Sequence, residues 1–165
     1  AARTARGVGA AAIHVLSGRT DDPAGADRLA SRLREAADDA PDLTFLIEPL
    51  SPQASPGYFL SSVEQAAEIL ERADRPNARL MFDCFHVQRA SGDVFERFRR
   101  HLPLIGHVQI AGAPGRNEPD RGELDYRWLI PAMQDAGWQG PIGAEYVPVA
   151  SVEAGLGWRD AYDWR

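Results

Sequence analysis

The chain has 165 residues, 44% hydrophobic and 25% charged, which fits one soluble globular domain of ordinary composition. Its net charge of −6, from 24 acidic and 18 basic residues, leaves no electrostatic footprint for nucleic acid or an anionic membrane. Every basic residue is arginine, so a Schiff-base lysine, a pyridoxal-phosphate anchor and a Walker phosphate loop are excluded.

The single cysteine, Cys84, excludes an intramolecular disulfide and a multi-cysteine zinc site and points to a reducing compartment. No apolar run reaches the roughly 18 residues of a membrane span. The Ala-rich start, Ala1 to Ala12, lacks the compact apolar block and cleavage signature of a secretory leader. The cytoplasm is therefore the expected compartment. The chain starts without methionine, which reads as a start inside a longer parent protein.

Five short apolar runs follow in order: Ala12 to Leu16, Leu43 to Ile47, Leu80 to Phe82, Ile105 to Ile110 and Pro141 to Ala144. Their starts lie roughly 25 to 37 residues apart, the length of a strand plus a returning helix, so a parallel α/β sheet is predicted. Between them, Ala26, Leu29, Ala30, Leu33 and Ala37 mark one face of a helix. Ser61 with Glu64 reads as a capping box ahead of Val63, Ala66, Ala67 and Leu70. Asp93 with Glu96 repeats that spacing before Phe95, Phe98 and Leu102. Asp125 is placed to cap a helix through Ala136, ended by Gly137. Pro131 inside it lacks a helical donor, so a bend or a late start is expected there. The Pro- and Gly-rich stretches Pro49 to Gly57 and Gly112 to Gly122 are loops after strands, where α/β proteins carry chemistry.

Four apolar runs end on oxygen-bearing residues: Ile47 precedes Glu48, Phe82 precedes Asp83, Val108 precedes Gln109 and Ala144 precedes Glu145. In a parallel barrel the carboxyl ends of all strands share one rim, so the four would converge. Crowded carboxylates repel, and a divalent cation relieves them. Oxygen donors without thiolate favour Mg²⁺ or Mn²⁺. A single acid at a strand end also fits a helix cap or an ion pair; four in consecutive units favour a site.

The runs IEPLSP (Ile47 to Pro52), GYFLSS (Gly57 to Ser62), FDCFH (Phe82 to His86), GHVQIAGAPGRNEP (Gly106 to Pro119), GELDY (Gly122 to Tyr126), GAEY (Gly143 to Tyr146) and EAGLGW (Glu153 to Trp158) carry a resemblance. In that order they resemble the hydroxypyruvate isomerase family, including the 2-oxo-tetronate isomerases, among the xylose isomerase-like TIM barrels. The resemblance implies a divalent metal held by Glu48, Asp83, Gln109 and Glu145, with Glu48 and Glu145 as proton donor and acceptor. It also implies isomerisation of a small hydroxy-oxo acid, hydroxypyruvate or a 2-oxo-tetronate, through an enediolate. Sugar epimerases of the superfamily usually place a histidine where Gln109 stands, so the sequence sides with the isomerases.

Around that rim, His86 is a candidate for hydrogen-bonding a substrate oxygen, or else fixes its loop. His107 shares a strand face with Gln109 by alternation and is a candidate for supporting the metal ligands. His14 either packs in the core or lines the site and contacts substrate. Arg116 is a candidate for a substrate carboxylate, against an ordinary surface arginine. Glu118 and Glu123 flank its loop; Glu123 orders the loop through hydrogen bonds, assists near the metal or, as the more economical account, caps the following helix with Asp125. Cys84 is expected to be a buried, inert thiol pointing away from Asp83. Trp128, Trp138, Trp158 and Trp164 are expected to pack helices or an interface.

A complete barrel of this type has eight βα units and typically about 250 residues, whereas five units are visible here. The expectation is a single domain over 1–165, an incomplete barrel lacking about three N-terminal units. Its open edges would favour a homo-oligomer or a partner chain covering the barrel. Three alternatives to the isomerase stand beside it: a truncated barrel without activity acting through association, a sugar epimerase and a DNA-repair nuclease. Gln109 argues against the epimerase, and the acidic charge with few histidines argues against the nuclease.

Overall fold

The computed structural model describes residues 1–162. A short helix α1 (Ala2–Gly7) leads into β1 (Ala12–Val15), then α2 (Gly25–Asp39), β2 (Thr44–Ile47), α3 (Val63–Ala73) and β3 (Ala78–Asp83). Next come α4 (Cys84–Ala90), α5 (Val94–His101), β4 (Ile105–Ile110), α6 (Tyr126–Asp135), β5 (Ile142–Ala144) and α7 (Val152–Gly155), continued by a 3₁₀ turn over Leu156–Ala161. The strands form one sheet in the order β1-β2-β3-β4-β5, every pair parallel. Sequential neighbours joined by crossover helices give the open arc of a TIM-type barrel, with β1 and β5 as its edges. The five predicted runs are the five strands, with ends moved by one or two residues. Among the described residues no helix is long and apolar enough to cross a membrane.

The core lies between the sheet and its helices. Phe45, Ile47, Leu80, Phe82, Ile105, Val108 and Ile110 point to that side and pack on Leu33, Ile69, Phe98, Ile130 and Met133. Phe98 meets Phe82 edge-on at 5.6 Å and Trp138 at 6.4 Å. The alternate positions Leu46 and Met81 are buried on the opposite, barrel-interior face, outside this cluster.

A one-residue bulge decides what the interior face presents. Leu80 pairs with Ile105, yet Met81 pairs with His107, so Gly106 is an extra residue in β4. A Cβ on Gly106 would lie 2.6 Å from Arg79 Cβ, so the bulge needs glycine. Beyond it Asp83 pairs with Gln109, which places both side chains on the interior face.

Several helix ends differ from the sequence expectation. The N-cap of α3 is Ser62, not Ser61: its hydroxyl accepts from the Gln65 amide, and the Gln65 side chain accepts from the Ser61 amide. The box is shifted by one residue, with Gln65 in the place expected of Glu64. Asp93 gives α5 no side-chain cap, because it sits in the left-handed region at φ 54°, and Glu96 pairs with Arg99 instead. Asp125 caps α6 by accepting from the Arg127 amide at 3.1 Å, and the helix stops before Gly137. Pro131 causes no late start; the helix runs through it, and the carbonyl left without its helical donor is that of exposed Arg127.

Cys84 is fully buried as the first residue of α4, and burial pushes its thiol well above the usual range. Trp138 and Trp158 are buried, the latter donating to the Tyr146 hydroxyl at 3.1 Å. Trp128 is 58% exposed on α6 and meets Phe95 of α5 edge-on at 5.3 Å, a contact between two helices. Trp164 lies outside the described residues.

Candidate active site

The carboxyl ends of the strands set the site. Glu48 directly follows β2, Asp83 ends β3, Gln109 is the penultimate residue of β4 and Glu145 directly follows β5. Glu48 and Asp83 are buried, whereas the Glu145 side chain is 54% exposed at the mouth.

Asp83 serves two ends at once. Its Oδ1 caps α4 by accepting from the Phe85 amide at 2.8 Å, and its buried Oδ2 has no hydrogen-bond partner among the described residues. The same holds for Glu48 Oε1 and Gln109 Oε1. Gln109 donates its Nε2 to Glu145 Oε2 at 2.8 Å, which turns its oxygen inward. Three buried acceptors without donors are costly unless something positive meets them, and their chemistry fits a hard divalent cation.

The carboxyl groups register this crowding. Burial, reinforced by the charges of Asp83 and Glu145, pushes Glu48 up to about 8. Burial pushes Asp83 up to about 6, although the Phe85 amide and the Arg116 guanidinium pull the other way.

His86, on α4, is buried beside both acids, its Nε2 at 4.0 Å from Glu48 Oε1 and 3.9 Å from Asp83 Oδ2. Glu48, Asp83 and His86 each offer an atom within 4.8 Å of the others, a possible metal-holding trio that differs from the set expected from sequence. Burial and the nearby Arg116 lower the His86 imidazole to about 4. Its Nδ1 faces Ser51, whose amide is 3.1 Å away and whose hydroxyl is 3.2 Å away.

The remaining candidates divide. His14 Nε2 lies 3.4 Å from Glu48 Oε2, so it lines the site. Arg116 reaches Glu145 Oε1 at 3.0 Å and Asp83 Oδ2 at 3.7 Å, and its guanidinium lies 5.3 Å from the Phe85 ring centre. His107 is half-buried on the same face as Gln109; a Cβ on Gly143 would sit 3.0 Å from His107 Nε2 and 3.7 Å from Gln109 Cγ. Burial lowers its imidazole. Glu123 is not brought to the site: it is exposed, accepts from Gln88 Nε2 at 3.0 Å, and makes no hydrogen bond or ion pair to the four rim residues among the described residues. It does not cap α6 either, because Asp125 holds that position.

The contacts of two residues were not legible in the sequence. Ser51 sits in the IEPLSP run, but its contact with His86 is made by a main-chain amide as well as the hydroxyl, which no side-chain pattern reveals. Glu118 is buried, and its Oε1 accepts from the Val149 amide at 3.0 Å, tying the 112–122 loop to the segment after β5. The Arg116 carbonyl accepts from the Val147 amide at 2.7 Å in the same tie, which carries Arg116 to Glu145.

That loop closes on itself at Gly122. At φ 105° a Cβ there would lie 1.8 Å from the Ala113 carbonyl oxygen. Gly122→Ala is therefore expected to lower stability by about 1–3 kcal/mol in urea unfolding.

The family model for xylose isomerase-like TIM barrels matches residues 1–164. A 2-oxo-tetronate isomerase from Cupriavidus necator is 42% identical over 158 residues, covering 91% of this chain and 60% of its own length. Hydroxypyruvate isomerase from Escherichia coli is 35% identical over 170 residues, covering 98% and 65%. The chain thus spans about 60% of the length of the curated relatives it matches. Among solved structures, an AP endonuclease, family 2, from Brucella melitensis superposes with a TM-score of 0.93 at 34% identity, covering 98% of this chain and 65% of that one. A 3-keto-D-glucoside 4-epimerase from E. coli shares the fold at a TM-score of 0.79 and 18% identity, over 97% of this chain and 67% of the other. Parallel strands in sequential order, helices on their outer side and a match along nearly the whole length agree: the chain belongs to the xylose isomerase-like TIM barrel family.

Proposed function

We propose that this chain carries the proton-transfer site of an isomerase acting on a small hydroxy-oxo acid, hydroxypyruvate or a 2-oxo-tetronate. The observation that carries the reading is the set of buried acceptors, Glu48 Oε1, Asp83 Oδ2 and Gln109 Oε1, left without donors beside Glu145. The isomerases named among the relatives support the substrate class.

Glu48, Asp83, Gln109 and Glu145 would hold a divalent cation, Mg²⁺ or Mn²⁺. When bound, it supplies Lewis-acid stabilisation of negative charge on substrate oxygens. From hydroxypyruvate, Glu145 removes the proton of the hydroxyl-bearing carbon, Glu48 in its acid form returns one to the former carbonyl carbon, and the hydroxyl proton passes to the former carbonyl oxygen. The reverse reaction exchanges the two roles. Arg116 at the mouth pairs with the substrate carboxylate, and His86 donates Nε2–H to a substrate oxygen. His14 orients Glu48.

The test is proton NMR of hydroxypyruvate with the chain and Mn²⁺ or Mg²⁺ in D₂O. Deuterium entering at the hydroxyl-bearing carbon, together with formation of 2-hydroxy-3-oxopropanoate, is expected. A preparation that binds Mn²⁺ and exchanges nothing would overturn the reading. It would favour the second one, a barrel segment acting through association, which the open edges at β1 and β5 recommend. The nuclease named by the solved relative fits less well, because the chain's charge of −6 leaves no basic footprint for a phosphate backbone.

A further inference from the structure

We infer that Ser51 is a positioning residue that fixes His86 as its Nε2–H tautomer, so that His86 acts as a hydrogen-bond donor at the site and not as a metal ligand. Ser51 is fully buried, three residues beyond Glu48 on the same strand-end loop. Its amide donates to His86 Nδ1 at 3.1 Å. A main-chain N–H is a donor in every condition, so Nδ1 must offer its lone pair, and the proton of the neutral ring resides on Nε2. The Ser51 hydroxyl, 3.2 Å from the same nitrogen, has room to share that lone pair.

The consequence falls on the other end of the ring. Nε2 is buried, has no hydrogen-bond partner among the described residues, and lies 4.0 and 3.9 Å from carboxylate oxygens of Glu48 and Asp83. A nitrogen that carries a proton has no lone pair for a cation. The trio of Glu48, Asp83 and His86 therefore resolves into two acceptors and one donor, although all three are close enough to share an ion. A donor aimed at the space bounded by two acids serves an oxygen of a bound molecule. The loop after β2 thus delivers both a carboxylate, through Glu48, and the orientation of its neighbour, through Ser51.

The role of His86 toward substrate rests on the isomerase reading, but the tautomer does not. In protein labelled with ¹⁵N, the His86 ring signals, identified by their loss in His86→Gln, should show an unprotonated Nδ1 and a protonated Nε2. A coupling across the hydrogen bond should join the Ser51 amide nitrogen to His86 Nδ1. Both should persist when Zn²⁺, a metal with high affinity for imidazole, is added. Ser51→Ala keeps the amide and should keep the pattern; Ser51→Pro removes the amide and should lose the coupling and mix the tautomers. If Ser51→Pro does not fold, the wild-type and Ser51→Ala spectra decide. A protonated Nδ1, an absent coupling, or loss of the Nε2 proton on adding Zn²⁺ would overturn the inference. A failed isomerisation assay with these signals intact would count against the isomerase reading alone.

Discussion

Glu145→Gln, assayed at saturating Mn²⁺, is expected to slow deuterium incorporation from D₂O into hydroxypyruvate by about 10²–10⁴-fold, the range of a lost general base or acid. The substitution preserves shape and removes the basicity. Folding should survive it. Glu145 is half exposed, accepts from Gln109 and Arg116, and is absent from the hydrophobic core. A glutamine oxygen can still accept from one of those donors, and partly exposed ion pairs are worth no more than about 1 kcal/mol. For a chain of this size that corresponds to a melting shift of about 2–4 °C at most. Measuring exchange and melting on the same preparation separates a chemical loss from a structural one. Exchange at the wild-type rate would remove Glu145 from the proton path.

The second large effect is a coupling of stability to pH and to metal. In the metal-free protein Glu48 stays protonated up to about 8, whereas in the unfolded chain it ionises in the ordinary carboxyl range. Between pH 6.5 and 8 the folded state therefore holds more protons than the unfolded state, and stability falls as pH rises, by on the order of 2 kcal/mol across the window. Histidines act in the opposite sense, and their unfolded value of about 6.5 lies at the acid end of this window, so they offset part of that fall. His14, His86, His101 and His107 are all lowered by burial, so the stability they contribute is lost only as pH drops below their unfolded value. A divalent cation at about 100 times its dissociation constant should restore about 2.7 kcal/mol, with a larger effect at pH 8 than at pH 6 because protons compete for Glu48 and Asp83. Asp83→Asn should abolish the metal effect and flatten the pH slope, because one of the charges that raises Glu48 is gone. The asparagine oxygen can still cap α4, so the helix is retained. Urea unfolding at pH 6.5 and 8, with EDTA and with Mg²⁺, checks both parts. A stability that rises between those pH values in EDTA would refute the assignment of Glu48.

The strands were readable because the central ones, β2 and β3, are buried on both faces, and the partly exposed edge strands β1 and β5 carry the same short apolar runs bounded by turn residues. The rim residues were readable for a related reason: an acid or amide placed at the end of such a run stands out. Helix ends were less legible. Ser61 and Ser62 both fit a cap, and only the strand-to-helix path selects the second. Asp93 has the right spacing but the wrong backbone, since a left-handed residue turns its side chain away from the amides it would cap. Glu123 has the right chemistry near the right loop, yet the tie from Arg116 and Glu118 to the residues after β5 leaves Glu123 facing Gln88. Ser51 was invisible because a main-chain donor has no residue type.

The glycine bulge in β4 sets which losses of chain length this strand can absorb. Deleting Gly106 would join Ile105 directly to His107 and leave a plain ladder in which Leu80 still meets Ile105, Met81 still meets His107 and Asp83 still meets Gln109, so every later side chain keeps its face. Deleting Val108 instead would bring Gln109 opposite Phe82, among the aliphatic and aromatic groups beneath α5 and α6, and turn Ile110 into the acid-lined mouth. A polar side chain would then be stranded in oil, and the mouth would lose its amide oxygen. Tolerance to the loss of one residue should therefore change sharply within a few positions, relaxed at Gly106 and strict from His107 to Gln109.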